Sequence, residues 1–367
     1  MPGLNGNGTR QLRSAVPVQK IFPSVSILTP TLNSSRTLGA CLEAVRRQDY
    51  PQDRVEIIIA DGGSEDATLE VAARHGALVV QNELRTGEAG KAVALRHATG
   101  ELVAFIDSDN IVVGEDWLSR MAEPFTDTHV VGAEPMYFIA QASDTIVDRY
   151  CALAGVNDPF CLFMGNYDKY SAFTGKWTDM KLGETSHGDC LTFSLKQALP
   201  TIGANGTIYR RSALTWFAQP YFMDIDIPWL IAKRDDGARF AKVRTGIRHL
   251  FCSDARQFTM KQTRRIRDLF TKDQISVPRI YPWRRFLARG LAKFLCACIL
   301  VFPLLCQSIV AYRRTRDRAA FFHPLACWLT LYIYAVNVLF FRGTALSREK
   351  WQVDRRMAGS SSGRRYD

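Results

Sequence analysis

The 367-residue chain has nine cysteines and six histidines, but no CxxC pair and no histidine at zinc-ligand spacing. Its thiols are scattered, three of them (Cys296, Cys298 and Cys306) inside one apolar run. They read as reduced core or lipid-facing residues, which argues against a disulfide framework and against a zinc site. The opening "MPGLNGNGTRQLRSAVPVQK" lacks the apolar stretch of a signal peptide. Residues 1–20 are therefore expected to be a polar disordered arm, with the soluble part in the cytosol. No internal repeat is visible, against a solenoid. Acidic charge is in short supply, 36 Asp and Glu against 47 Lys and Arg, leaving a net charge of +11. That excess calls for an anionic partner.

What is present narrows the partner. Much of the positive charge follows residue 260, in "KQTRRIRDLFTK", "WRRFLAR", "RRTRDR" and the tail, and these clusters bracket apolar runs at 290–312 and 321–341. Each run is long enough to cross a bilayer, and basic flanks beside apolar runs suit membrane lipid, not nucleic acid. The expectation is a basic amphipathic interface segment over 261–289, two transmembrane or membrane-associated helices over 290–345, with buried core helices or helices lying flat at the interface as the alternatives, and a basic disordered tail over 346–367. Arginines flank both outer ends, as a cytosolic catalytic domain requires, whereas Arg313, Arg314, Arg316 and Arg318 in the connecting loop argue for the opposite orientation.

From residue 24 short apolar runs alternate with helix-like segments: "SVSILTPT", "SRTLGACLEAVRRQ", "VEIIIADGG", "EDATLEVAARHG", "ALVVQNE", "GKAVALRHATG" and "ELVAFIDSDN". Strands rich in Val, Ile and Leu that alternate with helices predict an α/β, Rossmann-like domain, its sheet mainly parallel and covered on both faces. Ligands in such sheets bind at the carboxyl ends of the strands. Residues 29–33, 61–64 and 107–109 all fall at such ends. Asp107 and Asp109, two apart on an extended chain, share a face. Alone they would pass for turn formers, but three polar clusters at one edge point to a ligand. Residues 21–130 are expected to form the half that carries these clusters, and residues 131–260, loop-rich from about 130 to 200, a second half over the sheet edge.

Taken in order, "VSILTPTLN", "IIIADGGSEDAT", "GKAVALRHATGELVAFIDSDN", "GANGTIYRRSAL", "MDIDIPW" and "QTRRI" resemble the family 2 glycosyltransferases, inverting enzymes of the GT-A fold, over roughly residues 24 to 275. The resemblance implies a nucleotide-sugar donor, most readily a UDP-sugar, bound by the 21–130 half, a lipid-linked or glycan acceptor, bound by the 131–260 half, and Mn2+ or Mg2+. "DSD" looks like the family's DXD motif: Asp109 as direct metal ligand, Asp107 at the ribose or the metal shell, Ser108 between them at the donor. A hard cation held by carboxylates neutralises the charge that builds on a leaving diphosphate. The resemblance further assigns Asp61, before Gly62, to the nucleobase, and Pro30, Thr31 and Asn33 to the loop framing base and ribose, with Leu32 where an aromatic is usual. Lys91, at a glycine-flanked helix start, is a phosphate candidate, with Arg96 its rival. Asp224 aligns with the general base, Asp226 is the alternative, and both are also possible caps of the next helix. His249 matches a position that completes the metal shell in related enzymes. In "QTRRI", Ile266 replaces the Trp of the processive QxxRW motif, so Gln262, Arg264 and Arg265 are expected at the acceptor or the membrane interface. Competing readings are a polyprenyl-phosphate glycosyl synthase and a catalytically degenerate membrane scaffold.

Overall fold

The stretch "VSILTPT" becomes strand β1 (Val25–Thr31), buried along nearly its whole length in the computed structural model, which describes residues 22–272 and 280–343. The expected arm at 1–20, the tail at 346–367 and part of the 261–289 segment lie outside the described residues. β1 pairs in parallel with β2 (Val55–Asp61), which pairs with β3 (Leu78–Gln81), and on its other side with β4 (Leu102–Phe105). The crossovers are α1 (Ser35–Arg46), α2 (Thr68–Arg74) and α3 (Gly87–His97). β5 (Asn110–Val112) and α4 (Trp117–Ala122) follow, then β6 (Val130–Ile139), α5 (Ile146–Ala154), α6 (Phe160–Met164), β7 (Thr185–His187), β8 (Cys190–Ser194), β9 (Thr207–Arg210), α7 (Ile227–Ala232) and β10 (Arg239–His249). One sheet runs in the order β3-β2-β1-β4-β9-β6-β10-β8-β7, with β5 paired to β10. The first four strands are parallel; antiparallel pairs enter in the second half through β9, β8 and β5. Apolar layers cover both faces, one around Leu38, Leu42 and Trp117, the other around Ala92, Phe105 and Phe222.

Within the expected loop-rich stretch, residues 130–139 form a ten-residue strand inside the sheet. Gly132 and Pro135 hid it from the sequence pattern. Both have a place in a central strand: a Cβ on Gly132 would sit 2.4 Å from the Phe240 ring, and the β9 ladder stops at Ala133, before proline's missing N–H is needed. Between β6 and β8 the chain is indeed mostly irregular. Lys169 in that stretch is buried in an ion cluster, its Nζ 2.5 Å from Glu134 on β6, whose other oxygen lies 2.7 Å from Lys242 on β10. This pins the covering segment to the sheet.

The C-terminal part consists of α8 (Ala255–Lys272), α9 (Trp283–Leu300), α10 (Phe302–Thr315) and α11 (His323–Gly343). Here the structure departs from two straight apolar helices. α9 and α10 meet at 94°. Val301 at the joint has a left-handed φ of 59°, and Pro303 in the first turn of α10 lacks the N–H that would continue the ladder. Among the described residues, one helix, within Arg318–Val338, is by itself long and apolar enough to cross a membrane; the bent pair counts as a second only if both arms form one crossing.

Candidate active site

Because β1, β2 and β4 are parallel, their following loops share one edge, and side-chain hydrogen bonds stitch them together. Asn33, in a left-handed conformation at φ 51°, donates its N–H to Ser64 Oγ at 2.8 Å, and its Oδ1 accepts from Glu65 N–H at 2.9 Å. Ser108 Oγ lies 3.0 Å from Ser34 Oγ. Asp61 accepts four hydrogen bonds: from Thr31 Oγ1 (2.8 Å), Gly63 N (2.9 Å), Ser64 N (2.7 Å) and Ser64 Oγ (2.6 Å). Burial pushes its carboxyl up, but these donors outweigh burial and hold it below the usual range. The donors occupy about all the acceptor sites a carboxylate has. Asp61 in this state therefore shapes the loop around the expected base site. Gly62 fits tightly between Thr31 O and the backbone of Arg85. Pro30 meets Gly90 of α3, where a Cβ would come within 2.7 Å of its own. Leu32 is 40 % exposed at the same edge, an apolar surface where the family usually places a ring. The six expected donor residues other than Lys91 and Asp107 thus line one wall.

The second corner is built by the ladder between β5 and β10, which sets Asn110 opposite His249, while Leu250 N–H donates to Asp109 O at 2.9 Å. His249 Nε2 comes to 3.5 Å and Lys261 Nζ to 3.8 Å from Asp109 Oδ2. Burial raises the Asp109 carboxyl, yet the imidazole and the ammonium more than offset it and leave a pKa of about 2. Behind His249, Asn157 Nδ2 lies 3.4 Å from its Nδ1, and Gln262 Nε2 donates to Asn157 O at 2.5 Å. Gln262 is fully buried and Ile266 nearly so. The "QTRRI" stretch therefore faces inward through Gln262 and Ile266. Arg265 leans over the Phe251 ring at 5.8 Å on the site side, and Arg264 is exposed. Lys261 and Asn157 escaped the sequence reading. Lys261 directly precedes the motif, a signal that was available; Asn157 carried none.

The oxygen-rich donor set suits a hard divalent cation. Two acceptor oxygens in or beside this corner, Asn110 Oδ1 and Asn157 Oδ1, are buried without a hydrogen-bond donor, and Asp107 Oδ1 makes no hydrogen bond, having only the Lys91 ammonium at 3.4 Å. Among the described residues no group of three metal-ligating side chains is assembled. Mg2+ or Mn2+ bound at Asp109 and His249 would accordingly take the remainder of its shell from a diphosphate and water.

The third element comes from "YFMDIDIPW". Phe222 donates its N–H to Glu88 O on α3 at 2.9 Å and stacks on Phe105 at 4.2 Å, so the residues after it lie over the end of β4. Asp224 Oδ2 is 3.3 Å from Lys91 Nζ, and the same ammonium is 3.4 Å from Asp107 Oδ1. Lys91 thus joins two carboxylates, a different setting from the open phosphate-facing helix start expected of it. Burial alone would lower its pKa; Asp107, Asp224 and Glu88 raise it above the ordinary value. Arg96 lies exposed in the last turn of α3. Asp226 is 5 % exposed, and its Oδ1 accepts from Ile280 N–H (3.2 Å) and Tyr281 N–H (2.8 Å). It anchors the segment before α9, and neither aspartate caps α7 through its side chain.

The Lys91 geometry carries a pH prediction. Burial holds the Asp107 carboxyl above its ordinary pKa, and Lys91 is the main group pulling it down. Removing the ammonium in Lys91→Met raises that pKa further, so Asp107 is protonated at higher pH and cannot serve a cation. The acid limb of the pH–kcat/KM profile should move to higher pH, by about one unit or more.

A family model, Glycosyl transferase family 2, matches residues 26–214, more than half of the chain and all three strand-end clusters. Glycosyltransferase AglE of Haloferax volcanii is 28% identical over 137 residues, 35% of this chain and 44% of AglE. The UDP-Glc:alpha-D-GlcNAc-diphosphoundecaprenol beta-1,3-glucosyltransferase WfgD of Escherichia coli is 34% identical over 104 residues, 27% of this chain and 38% of WfgD. The chain thus spans less than half the length of these relatives. The mannosyltransferase PcManGT from Pyrobaculum calidifontis, solved with GDP-Man and Mn2+, aligns at a TM-score of 0.49 and 18% identity, over 87% of this chain and 88% of its own. The family match runs from β1 through β9 and takes in Asp61, Lys91, Asp107 and Asp109, and on it this chain is a member of glycosyl transferase family 2.

Proposed function

We propose that the protein is an inverting, metal-dependent glycosyltransferase that moves a sugar from a nucleotide-sugar donor, a UDP-sugar first, to a lipid-linked or glycan acceptor at the cytosolic face of a membrane. The observation that carries this reading is the gathering of Asp107, Asp109, Asp224, His249 and two lysines at one sheet edge, beside the loops of β1 and β2. In inversion the acceptor oxygen bonds to the anomeric carbon on the face opposite the departing diphosphate. The acceptor hydroxyl loses its proton to Asp224, and the sugar–diphosphate bond breaks with its electron pair on the diphosphate. Lys91 orients Asp224, and Lys261 places positive charge next to Asp109, where the diphosphate is expected. Charge stabilisation in such a partly dry cleft exceeds its value in water. A divalent cation held by Asp109 and His249 would add Lewis-acid neutralisation of the leaving group.

The lipid-linked acceptor is supported by WfgD, whose name states a diphosphoundecaprenol acceptor, and by the apolar C-terminal helices. A degenerate scaffold would have no need of three half-buried carboxylates held against two lysines and a histidine at one edge. The test is a screen for released nucleoside diphosphate across UDP-, GDP- and dTDP-sugars with Mn2+ and a membrane lipid extract as acceptor. Release from one donor class is expected; release from none, with folded protein that binds no nucleotide, sinks the reading.

A further inference from the structure

We propose that the C-terminal helices anchor the protein to one leaflet without crossing it: the α9–α10 pair dips into the membrane at the Val301 elbow and returns to the same face, and α11 lies alongside. This deepens the membrane-face reading above and rests on it.

Both arms of the bent pair are fixed to the same part of the catalytic domain. Midway along α9, Gly290 packs so closely on Met164 that a Cβ would come within 2.7 Å, and Phe294 lies 5.2 Å from Phe160 and 5.1 Å from Phe163. Near the end of α10, Arg314 Nη1 donates to Ala172 O at 2.6 Å, and just beyond it Asp317 is paired with Arg149 at 2.5 and 3.0 Å. A straight helix over residues 290–312 would carry its far end about 35 Å away. Instead both arms touch residues 160–175. The connecting loop with Arg313, Arg314, Arg316 and Arg318, which looked wrong for a cytosolic domain, is therefore on the domain's own side. α11 stays there too: His323 is buried 2.9 Å from Tyr150 Oη, and Tyr334 bonds to Asp158.

Each helix has an inner face in a shared core, with Phe294, Cys298, Leu304, Ala311, Ala326 and Cys327. Each also has an outer apolar face. On α9 this is Leu287, Leu291 and Leu295, four residues apart; on α11 it is Leu325, Trp328 and Tyr332. Exposure peaks at the elbow, with Ile299 at 73 %, Leu300 at 61 % and Phe302 at 70 %. Among the described residues nothing covers it. On the side of α9 turned away from the leucine stripe runs a second exposed stripe, Arg285, Arg289 and Lys293, also four apart. Apolar side chains reaching into acyl chains and cations at headgroup depth are the chemistry of an anionic leaflet.

The test uses the full chain. Purified protein should float with sealed phosphatidylcholine–phosphatidylglycerol vesicles, and Ile299→Asp and Phe302→Asp should each lower the bound fraction about tenfold or more, with melting temperature and UDP affinity unchanged. In sealed membranes from expressing cells, an impermeant maleimide should modify Arg316→Cys and Asp53→Cys from the same side, the sites being identified by mass spectrometry. Labelling of Arg316→Cys only after permeabilisation, with Asp53→Cys labelled before, would show a crossing and overturn the proposal. Flotation of the elbow variants like wild type, or apolar faces that only pair two copies, would also overturn it. If wild type neither floats nor sediments with membranes yet transfers sugar, the membrane-face reading itself fails.

Discussion

Asp224→Asn is expected to keep the affinity for a nucleoside diphosphate within about twofold of wild type while turnover falls about a hundred- to ten-thousand-fold. The reason is timing. A base that takes the acceptor's proton acts after both substrates are bound, so its loss appears in kcat and not in donor binding. The amide retains the shape of the carboxylate, and Lys91 still has Asp107 as a partner. The control is Asp226→Ala, which leaves the Ile280 and Tyr281 amides without their acceptor. It should lower stability by about 1–3 kcal/mol and the melting temperature with it, with little change in rate once folded. Initial rate, calorimetric affinity and melting temperature, measured on both variants together, separate a base from an anchor. If Asp226→Ala is folded and dead while Asp224→Asn is active, the roles are reversed.

Asp109→Ala should lower turnover about a hundredfold or more and shift the Mn2+ activation curve of the residual activity to at least about tenfold higher concentration. It removes the carboxylate that His249 and Lys261 both approach, and with a pKa of about 2 that carboxylate is charged throughout the neutral range. His249 and Lys261 would then face each other with no anion between them. The circular dichroism spectrum should not change, because the β5–β10 ladder and the Leu250 bond are made by backbone atoms, which the substitution keeps. Full activity of this variant, or of wild type in EDTA, would remove metal from the mechanism.

The parallel half of the sheet was legible because its strands are contiguous apolar runs and its polar clusters sit directly after them, as at Asp61 and Asp107. Pairing of Asp109 with His249 was approachable only through family resemblance: the two residues meet through the β5–β10 ladder, a long-range register no local pattern encodes. Lys91 was placed on the right helix but given a phosphate setting, since its carboxylate partner Asp224 is 133 residues away and comes into reach only when Phe222 seats on Phe105. Asp226 looked like a helix-start carboxylate, and its work is with backbone amides 54 and 55 residues later. Hydropathy found both apolar runs, but hydropathy does not register a left-handed residue at Val301. The bend within the first run was therefore invisible.

On the proposed function, this sheet edge binds a nucleoside diphosphate through a divalent cation. Titration of UDP into the full-length protein, in Mn2+ and again after EDTA, tests it most directly. Saturable binding in Mn2+ that weakens at least tenfold in EDTA, and that is likewise weakened in Asp109→Ala, is the predicted result. Binding of equal strength in EDTA, or no binding of UDP, GDP or dTDP in Mn2+ by folded protein, would contradict it.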